Sequence, residues 1–308
     1  MTFFDELSQS NVLVNLSFLW TERFLQCARM NSVLRRFAQV DVFAGEPYRG
    51  NPLAVVIDAE GLTTAEMQRF AKWTNLSETT FLLKPINPLA DYQVRIFTPG
   101  EELPFAGHPT LGSAFVWMSN GGTPKHDGEI IQECGVGLIS VRRQESALSF
   151  AAPPLLKGGP AEEEVIHDAA TSLGISRDDI IDAEWIDNGP GWLGVLLRTS
   201  EEVLKIQPQQ MTLKIGVAGA HVTDSPFAYE VRAFFPSNGI VIEDPVTGSL
   251  NASLAQWMIA SGRFTPPYLV SQGTAIGHAG VVHVSLDESE NVWIGGDVVM
   301  CVSGTVDI

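Results

Sequence analysis

From Phe37 onward the chain alternates short apolar runs with turn residues, and the period of the runs switches in a recurring order. FAQVDVF (37–43) alternates apolar and polar positions and predicts a strand. EPYRGNP (46–52) reads as a turn, and the Val- and Ile-rich LAVVID (53–58) predicts a second strand. Thr63-Thr64-Ala65-Glu66 has the form of a capping box, and Met67, Phe70 and Trp73 follow at helical spacing. A polar junction, Asn75-Leu76-Ser77-Glu78, then enters a third strand at Phe81-Leu82-Leu83. A fourth strand, running from Tyr92 through Val94 and Ile96 to Phe97, is halted by Pro99-Gly100 and Pro104. After Gly107-His108-Pro109-Thr110, small and apolar residues from Leu111 to Met118 predict a helix, with Pro109 suited to its first turn.

Strand-like runs follow at Ile130-Ile131, 137–141 and 148–150, with Glu133-Cys134-Gly135-Val136-Gly137 placed as a hairpin turn. Ala151-Ala152-Pro153-Pro154 breaks the pattern and marks a linker. The second half then repeats the plan. Residues 162–173 predict a helix, 186–197 two strands around Asn188-Gly189-Pro190-Gly191, 201–204 a short helix and 215–218 another strand. Tyr229-Glu-Val-Arg-Ala-Phe-Phe-Pro236 then matches Tyr92-Gln-Val-Arg-Ile-Phe-Thr-Pro99. Downstream, Glu243-Asp244-Pro245-Val246-Thr247-Gly248-Ser249 opens a helix over 250–259, whose Trp257-Met258 answers Trp117-Met118. A strand ending in Pro, a loop and a glycine-opened helix thus occur once per half, which predicts two similar α/β domains, 37–150 and 151–308. Their helix N-termini are expected to face one another across a cleft.

Residues 1–36 stand apart. The apolar run Val12–Trp20 is too short to span a bilayer, and Asp5 and Glu6 precede it where a signal peptide would be basic. This extension reads equally as a peripheral helix or as a leader ahead of a start at Met30, and no membrane partner is expected.

With 308 residues and 45% hydrophobic content, the chain can bury a large core. The net charge of −17 divides unevenly: residues 1–150 hold 12 Lys and Arg against 16 Asp and Glu, residues 151–308 only 7 against 20. No basic stripe exists to neutralise phosphates, so nucleic acid is not an expected partner. Three scattered cysteines (Cys27, Cys134, Cys301) make neither a disulfide framework nor a zinc site, and fit a reducing, cytoplasmic setting.

The candidate chemistry lies where the halves match. At a helix start, the N–H groups of Gly107 and His108 would lack intrahelical partners and point outward, a site for a carboxylate or oxyanion. A second such start at Gly248-Ser249 would let two helix ends hold one carboxylate. Glu78, His108 and Asp244 lie beside these junctions and can move protons. Each has an ordinary reading too. Glu78 could point to solvent from a strand start, His108 could be a capping or loop residue, and Asp244 an N-cap. Flanked by Leu76, Phe81 and Leu82, a half-buried Glu78 would instead have a raised pKa suited to acid–base work. The chain has no P-loop, HExxH, GxSxG or dinucleotide fingerprint, which leaves proton transfer beside a carboxylate, with no cofactor and no metal, as the expected chemistry.

GNPLAVV (50–56), NLSETTF (75–81), FTPGEELPFAGHPTLG (97–112) and EDPVTGS (243–249), in that order, resemble the phenazine-biosynthesis PhzF-like isomerase family. The resemblance covers about Phe37 to the C-terminus. It implies the diaminopimelate epimerase-like fold: two domains, each a sheet wrapped around a central helix, with the active site in the interdomain cleft and the last strand free to return to the first domain. The family's founding member isomerises trans-2,3-dihydro-3-hydroxyanthranilate without a cofactor, as a homodimer. The resemblance places the catalytic glutamate at Glu78, with His108 and Asp244 in the active site, and the carboxylate-holding positions at Gly107, Gly248 and Ser249. Related two-thiol epimerases carry a cysteine at each helix start, where this chain has Gly107-His108 and Gly248-Ser249. At His278 the chain departs from relatives that carry Arg, and His221 and His283 lie outside every motif. A racemase or lyase acting on an amino-acid-like substrate, or a binding protein without turnover, remain the alternative expectations.

Overall fold

The capping box forms as the sequence requires. Thr63 accepts from the Glu66 N–H, while the Glu66 carboxylate accepts from the Thr63 N–H at 2.8 Å. The helix ends at Asn75 in the left-handed region (φ 55°), where Asn is tolerated better than most residues. This computed structural model describes residues 33–144, 147–237 and 239–308. The expectations for Val12–Trp20, Cys27 and a start at Met30 lie outside the described residues.

In chain order the first half holds strands β1 (Leu34–Val42) and β2 (Asn51–Val56), helix α1 (Thr64–Thr74), and strands β3 (Glu78–Leu83), β4 (Tyr92–Phe97) and β5 (Glu102–Leu103). Helix α2 (Gly107–Ser119) and strands β6 (Glu129–Cys134), β7 (Gly137–Gln144) and β8 (Ala147–Ala151) complete it. Strand β9 (Lys157–Pro160) and helix α3 (Glu163–Leu173) precede β10 (Asp182–Asp187), β11 (Trp192–Thr199), α4 (Ser200–Lys205), β12 (Lys214–Ala220), β13 (Phe227–Ser237) and β14 (Ile240–Asp244). Then come helix α5 (Gly248–Ala260) and strands β15 (Tyr268–Gln272), β16 (Gly280–Leu286), β17 (Val292–Gly296) and β18 (Val298–Asp307).

The repeat seen in the sequence is a repeat of pairing. In the first half β2 pairs in parallel with β3, β3 antiparallel with β4, β4 with the short β5, and β4 in parallel with β6. In the second half β11–β12, β12–β13, β13–β14 and β13–β15 pair with the same senses. Helices α1 and α4 make the first parallel crossovers, α2 and α5 the second, as parallel neighbours require. The matched motif extends to an ion pair: Arg95 meets Glu102 on β4–β5, and Arg232 meets Glu243 at 2.7 Å on β13–β14. Strand β8 pairs with β17 and β18 pairs with β1, so the C-terminal strands close onto the first half.

Helices α2 and α5 are central. Each buries nine of its 13 residues, and a helix apolar on every side belongs in a core rather than on a surface. Helix α2 contacts β1 to β4 and β6 to β8, so the sheet wraps it. Leu111 on α2 and Leu250 on α5 are fully buried in a cluster shared by both halves, where Leu→Ala would cost about 2–5 kcal/mol. Among the described residues no helix is long and apolar enough to cross a membrane.

Candidate active site

The wrapped helices bring their N-termini together. A Cβ placed on Gly248 would lie 3.1 Å from Gly107 Cα and 3.1 Å from His108 N. One placed on Gly107 would lie 2.6 Å from Phe150 Cζ. A side chain at either position would push its neighbours apart, so glycine suits so close an approach. The first intrahelical bond of α2 runs from Thr110 N to Ala106 O, and that of α5 from Asn251 N to Thr247 O. The N–H groups of Gly107, His108, Gly248 and Ser249 therefore have no intrahelical acceptor, and two positive helix ends face one small space.

Glu78 opens β3 and shares a face with Thr80, two residues on. Thr80 accepts a hydrogen bond from Ser113 of α2 at 2.9 Å, so that face looks onto the helix. His108, in the first turn of α2, is thereby brought to Glu78, with Nε2 3.3 Å from Oε2. Burial lowers the His108 pKa to about 3 and leaves the ring neutral, so the approach is not an ion pair. Nor does either atom make a hydrogen bond: Glu78 Oε2 and His108 Nε2 are both buried with no partner. Orphaned polar atoms of this kind are costly in a finished core and ordinary in a binding site.

Asp244 enters from the second half. Its Oδ2 accepts from Thr247 Oγ1 at 2.6 Å, and its Oδ1 from Asn51 Nδ2 at 3.1 Å. The alternative reading of Asp244 as an N-cap does not hold. Thr247 is the N-cap residue of α5, and Asp244 bonds the Thr247 hydroxyl rather than a helix N–H. Asn51, fully buried on β2, also donates to Val246 O at 2.8 Å and so ties the first half to this loop. Gln272 braces the helix start from the other side, accepting from Thr247 N at 3.0 Å and Asn251 Nδ2 at 2.7 Å.

Burial, and secondarily the nearby Asp244 charge, raises Glu78 to about 8. Burial raises Asp244 to about 6, opposed by the hydrogen bonds from Thr247 and Asn51 and by His278. The two carboxylates thus have separated proton affinities. Near neutral pH the site holds an ionised Asp244, a largely protonated Glu78 and a neutral His108.

His278, outside the motifs in sequence, sits beside Asp244 and places Nδ1 2.8 Å from Gly50 O. His221 instead contacts Ser271 and Glu230. Cys134 lies at the β6–β7 hairpin. Sequence reading missed Asn51, Gln272, Asn188 and Trp192. Asn51 lies inside GNPLAVV and Gln272 begins the segment containing His278, so both stood next to noticed signals. Among the described residues, no three His, Cys, Asp or Glu side chains gather so as to hold a metal ion. Surface cavities of about 440 Å³ around Arg142, Asp287 and Trp293, and about 260 Å³ around Lys84, Tyr92 and Trp117, share no residue with the site.

Comparison with known proteins identifies the family. A family described as phenazine biosynthesis-like protein matches residues 40–304. Antisense-enhancing sequence 1 of Schizosaccharomyces pombe is 39% identical over 293 residues, covering 87% of this chain and 97% of the relative. Trans-2,3-dihydro-3-hydroxyanthranilate isomerase of Pseudomonas fluorescens is 32% identical over 283 residues, covering 89% of this chain and 99% of the relative. The crystal structure of an Enterococcus faecalis phenazine biosynthesis protein of the PhzF family superposes with a TM-score of 0.73 at 28% identity, covering 89% of this chain and 99% of that one. The chain therefore belongs to the phenazine biosynthesis-like protein family and is an isomerase.

Proposed function

We propose that the gap between the two helix N-termini is the active site of a cofactor-independent isomerase, in which Glu78 moves a proton on a small unsaturated or amino carboxylate. The observation that carries this reading is the pair of buried, unpartnered atoms Glu78 Oε2 and His108 Nε2 at the meeting point of the helices. The free N–H groups of Gly107, Gly248 and Ser249 hold the substrate carboxylate and take up negative charge as it develops there. Glu78, in its ionised form, accepts a proton from carbon. It then delivers that proton to another carbon of the same unsaturated system, so the substrate gains and loses nothing overall. A pKa near 8 suits a group that must act as base and then as acid. His108 and Asp244 orient polar substituents; Asp244 keeps free lone pairs after its two bonds and can accept from an amine or hydroxyl.

The compound named for the Pseudomonas fluorescens relative is a carboxylate of this class and the first to assay. On the same resemblance we read the molecule as a homodimer; its few scattered cysteines fit the cytoplasm, and the Ala151–Pro154 break puts the domain boundary near residue 150. Glu78→Gln should retain ligand binding and abolish exchange of substrate hydrogen with heavy water, followed by NMR. Undiminished exchange would remove Glu78 from the proposed role. Exchange with inversion at one carbon and no double-bond shift would replace the isomerisation with racemisation.

A further inference from the structure

The turn between β10 and β11 grips the start of α5 in a way that its own packing does not require. Trp192, only 3% exposed, donates from Nε1 to Ser249 Oγ at 3.1 Å. Asn188 donates from Nδ2 to the Ser249 carbonyl at 2.9 Å. The turn is held by Asp187, whose Oδ1 accepts from Gly189 N at 2.7 Å and Gly191 N at 2.6 Å.

An indole N–H can only donate, so Ser249 Oγ is the acceptor in its bond with Trp192. The hydroxyl proton of Ser249 must then point elsewhere, and no acceptor for it is found among the described residues. The Ser249 backbone N–H, in the first turn of α5, has no intrahelical acceptor either. One residue thus offers two donors, both beside the space the helix ends share. Asn188, whose Nδ2 holds the Ser249 carbonyl, leaves its Oδ1 buried and unpartnered beside that helix start. An incoming molecule that satisfies all three needs an acceptor for Ser249 and a donor for Asn188.

We infer that Trp192 is a positioning residue that fixes the Ser249 hydroxyl as a hydrogen-bond donor to the ligand carboxylate, while Asn188 Oδ1 accepts from an N–H or O–H donor on the same ligand. This rests on the carboxylate-binding role proposed for Ser249. It narrows the ligand class to small carboxylates that carry an amino or hydroxyl group. Without the indole the hydroxyl rotates freely, and part of its donor strength toward the carboxylate is lost.

The test uses anthranilate (carboxylate plus amine) and benzoate (carboxylate alone) as probes, titrated calorimetrically into the wild type, Trp192→Phe, Ser249→Ala, the double variant and Asn188→Leu. Trp192→Phe should weaken both probes about 3- to 10-fold, the range of one hydrogen bond. In the Ser249→Ala background it should change binding less than about 2-fold, because its effect passes through a hydroxyl no longer present. Equal effects in the two backgrounds would reduce Trp192 to a packing residue and overturn the positioning role. Asn188→Leu should erase the preference for anthranilate over benzoate while leaving benzoate within about 2-fold. Parallel losses for both probes would overturn the Asn188 contact. Asn188 is only partly buried, so this arm stands even if Trp192→Phe does not fold. Unchanged benzoate binding by Ser249→Ala, or no binding of either probe by the wild type, would fell the carboxylate site and this inference together. Intact Ser249 dependence with an additive cycle would fell the inference alone.

Discussion

Replacing Glu78 by Gln should change how stability depends on pH, by an amount the structure sets. In the folded protein burial raises this carboxyl from its ordinary 4.5 to about 8. Between these values the unfolded chain has released the proton and the folded protein still holds it. The stability present at and below about pH 4.5 is therefore lost progressively as pH rises through about 8. Three and a half pH steps, at about 1.4 kcal/mol each, bound the loss at on the order of 5 kcal/mol. The side chain is 16% exposed, and residual solvation should cut the realised figure to roughly 2–4 kcal/mol. Gln is neutral throughout and escapes the loss. Urea unfolding of both proteins between about pH 4.5 and 9 should show a difference that is small at the acid end and grows in favour of Gln toward the alkaline end. Asp244 titrates in both proteins and largely cancels from the difference. Parallel stability curves would mean that Glu78 ionises without penalty, and with that the argument for a buried acid–base group would fail.

The pH dependence of kcat/KM reports on the free enzyme, and should rise with pH to a plateau above about 8 when Glu78 is the initial base. A profile that instead falls through about 8 would make protonated Glu78 the acid of the first step. Gly248→Ala drives a Cβ against Gly107 Cα and His108 N at 3.1 Å, where backbone cannot yield cheaply. It should destabilise the protein by about 1–3 kcal/mol and weaken carboxylate binding more than about tenfold. Wild-type affinity in that variant, measured by the same calorimetry, would remove the helix ends from the site.

What the chain alone disclosed is what neighbours in sequence decide. The Thr63 capping box, the Cys134 hairpin and the twin strand–loop–helix units are set by residues a few positions apart, and each is present in the structure. The four strands after α5 were not among the predicted elements, although Val282, Val284, Trp293 and Ile294 are buried on them. At the site, local reasoning could not choose between an exposed and a buried Glu78, because its burial is supplied by α2, some 30 positions later. For Asp244 the sequence leaves an N-cap and an active-site role both open, because the partner that decides, Asn51, lies 193 positions away. His278, Asn188 and Trp192 reach the helix starts in the same way, through strand pairing between distant segments. No spacing rule in the sequence carries that information.

The duplication also bears on mechanism through the place where it breaks. Matching pairing and matching Arg–Glu bridges make the two helix starts near-equivalent, which suits a cradle that grips one anion from both sides. The side chains they present are not equivalent: His108 follows Gly107 in the first half, and Ser249 follows Gly248 in the second. The strand that takes Glu78's place in the second half is β12, which opens with an exposed Lys214 and brings no carboxylate. A symmetric pair of opposed bases would take a proton from one face of a carbon and deliver another to the opposite face. With Glu78 of β3 as the proposed base, and with the second half's carboxylate, Asp244, already engaged by Thr247 and Asn51, removal and delivery in the proposed reaction fall to Glu78 on one face. Migration of a proton along an unsaturated system needs just that, whereas inversion at a single carbon does not follow from it.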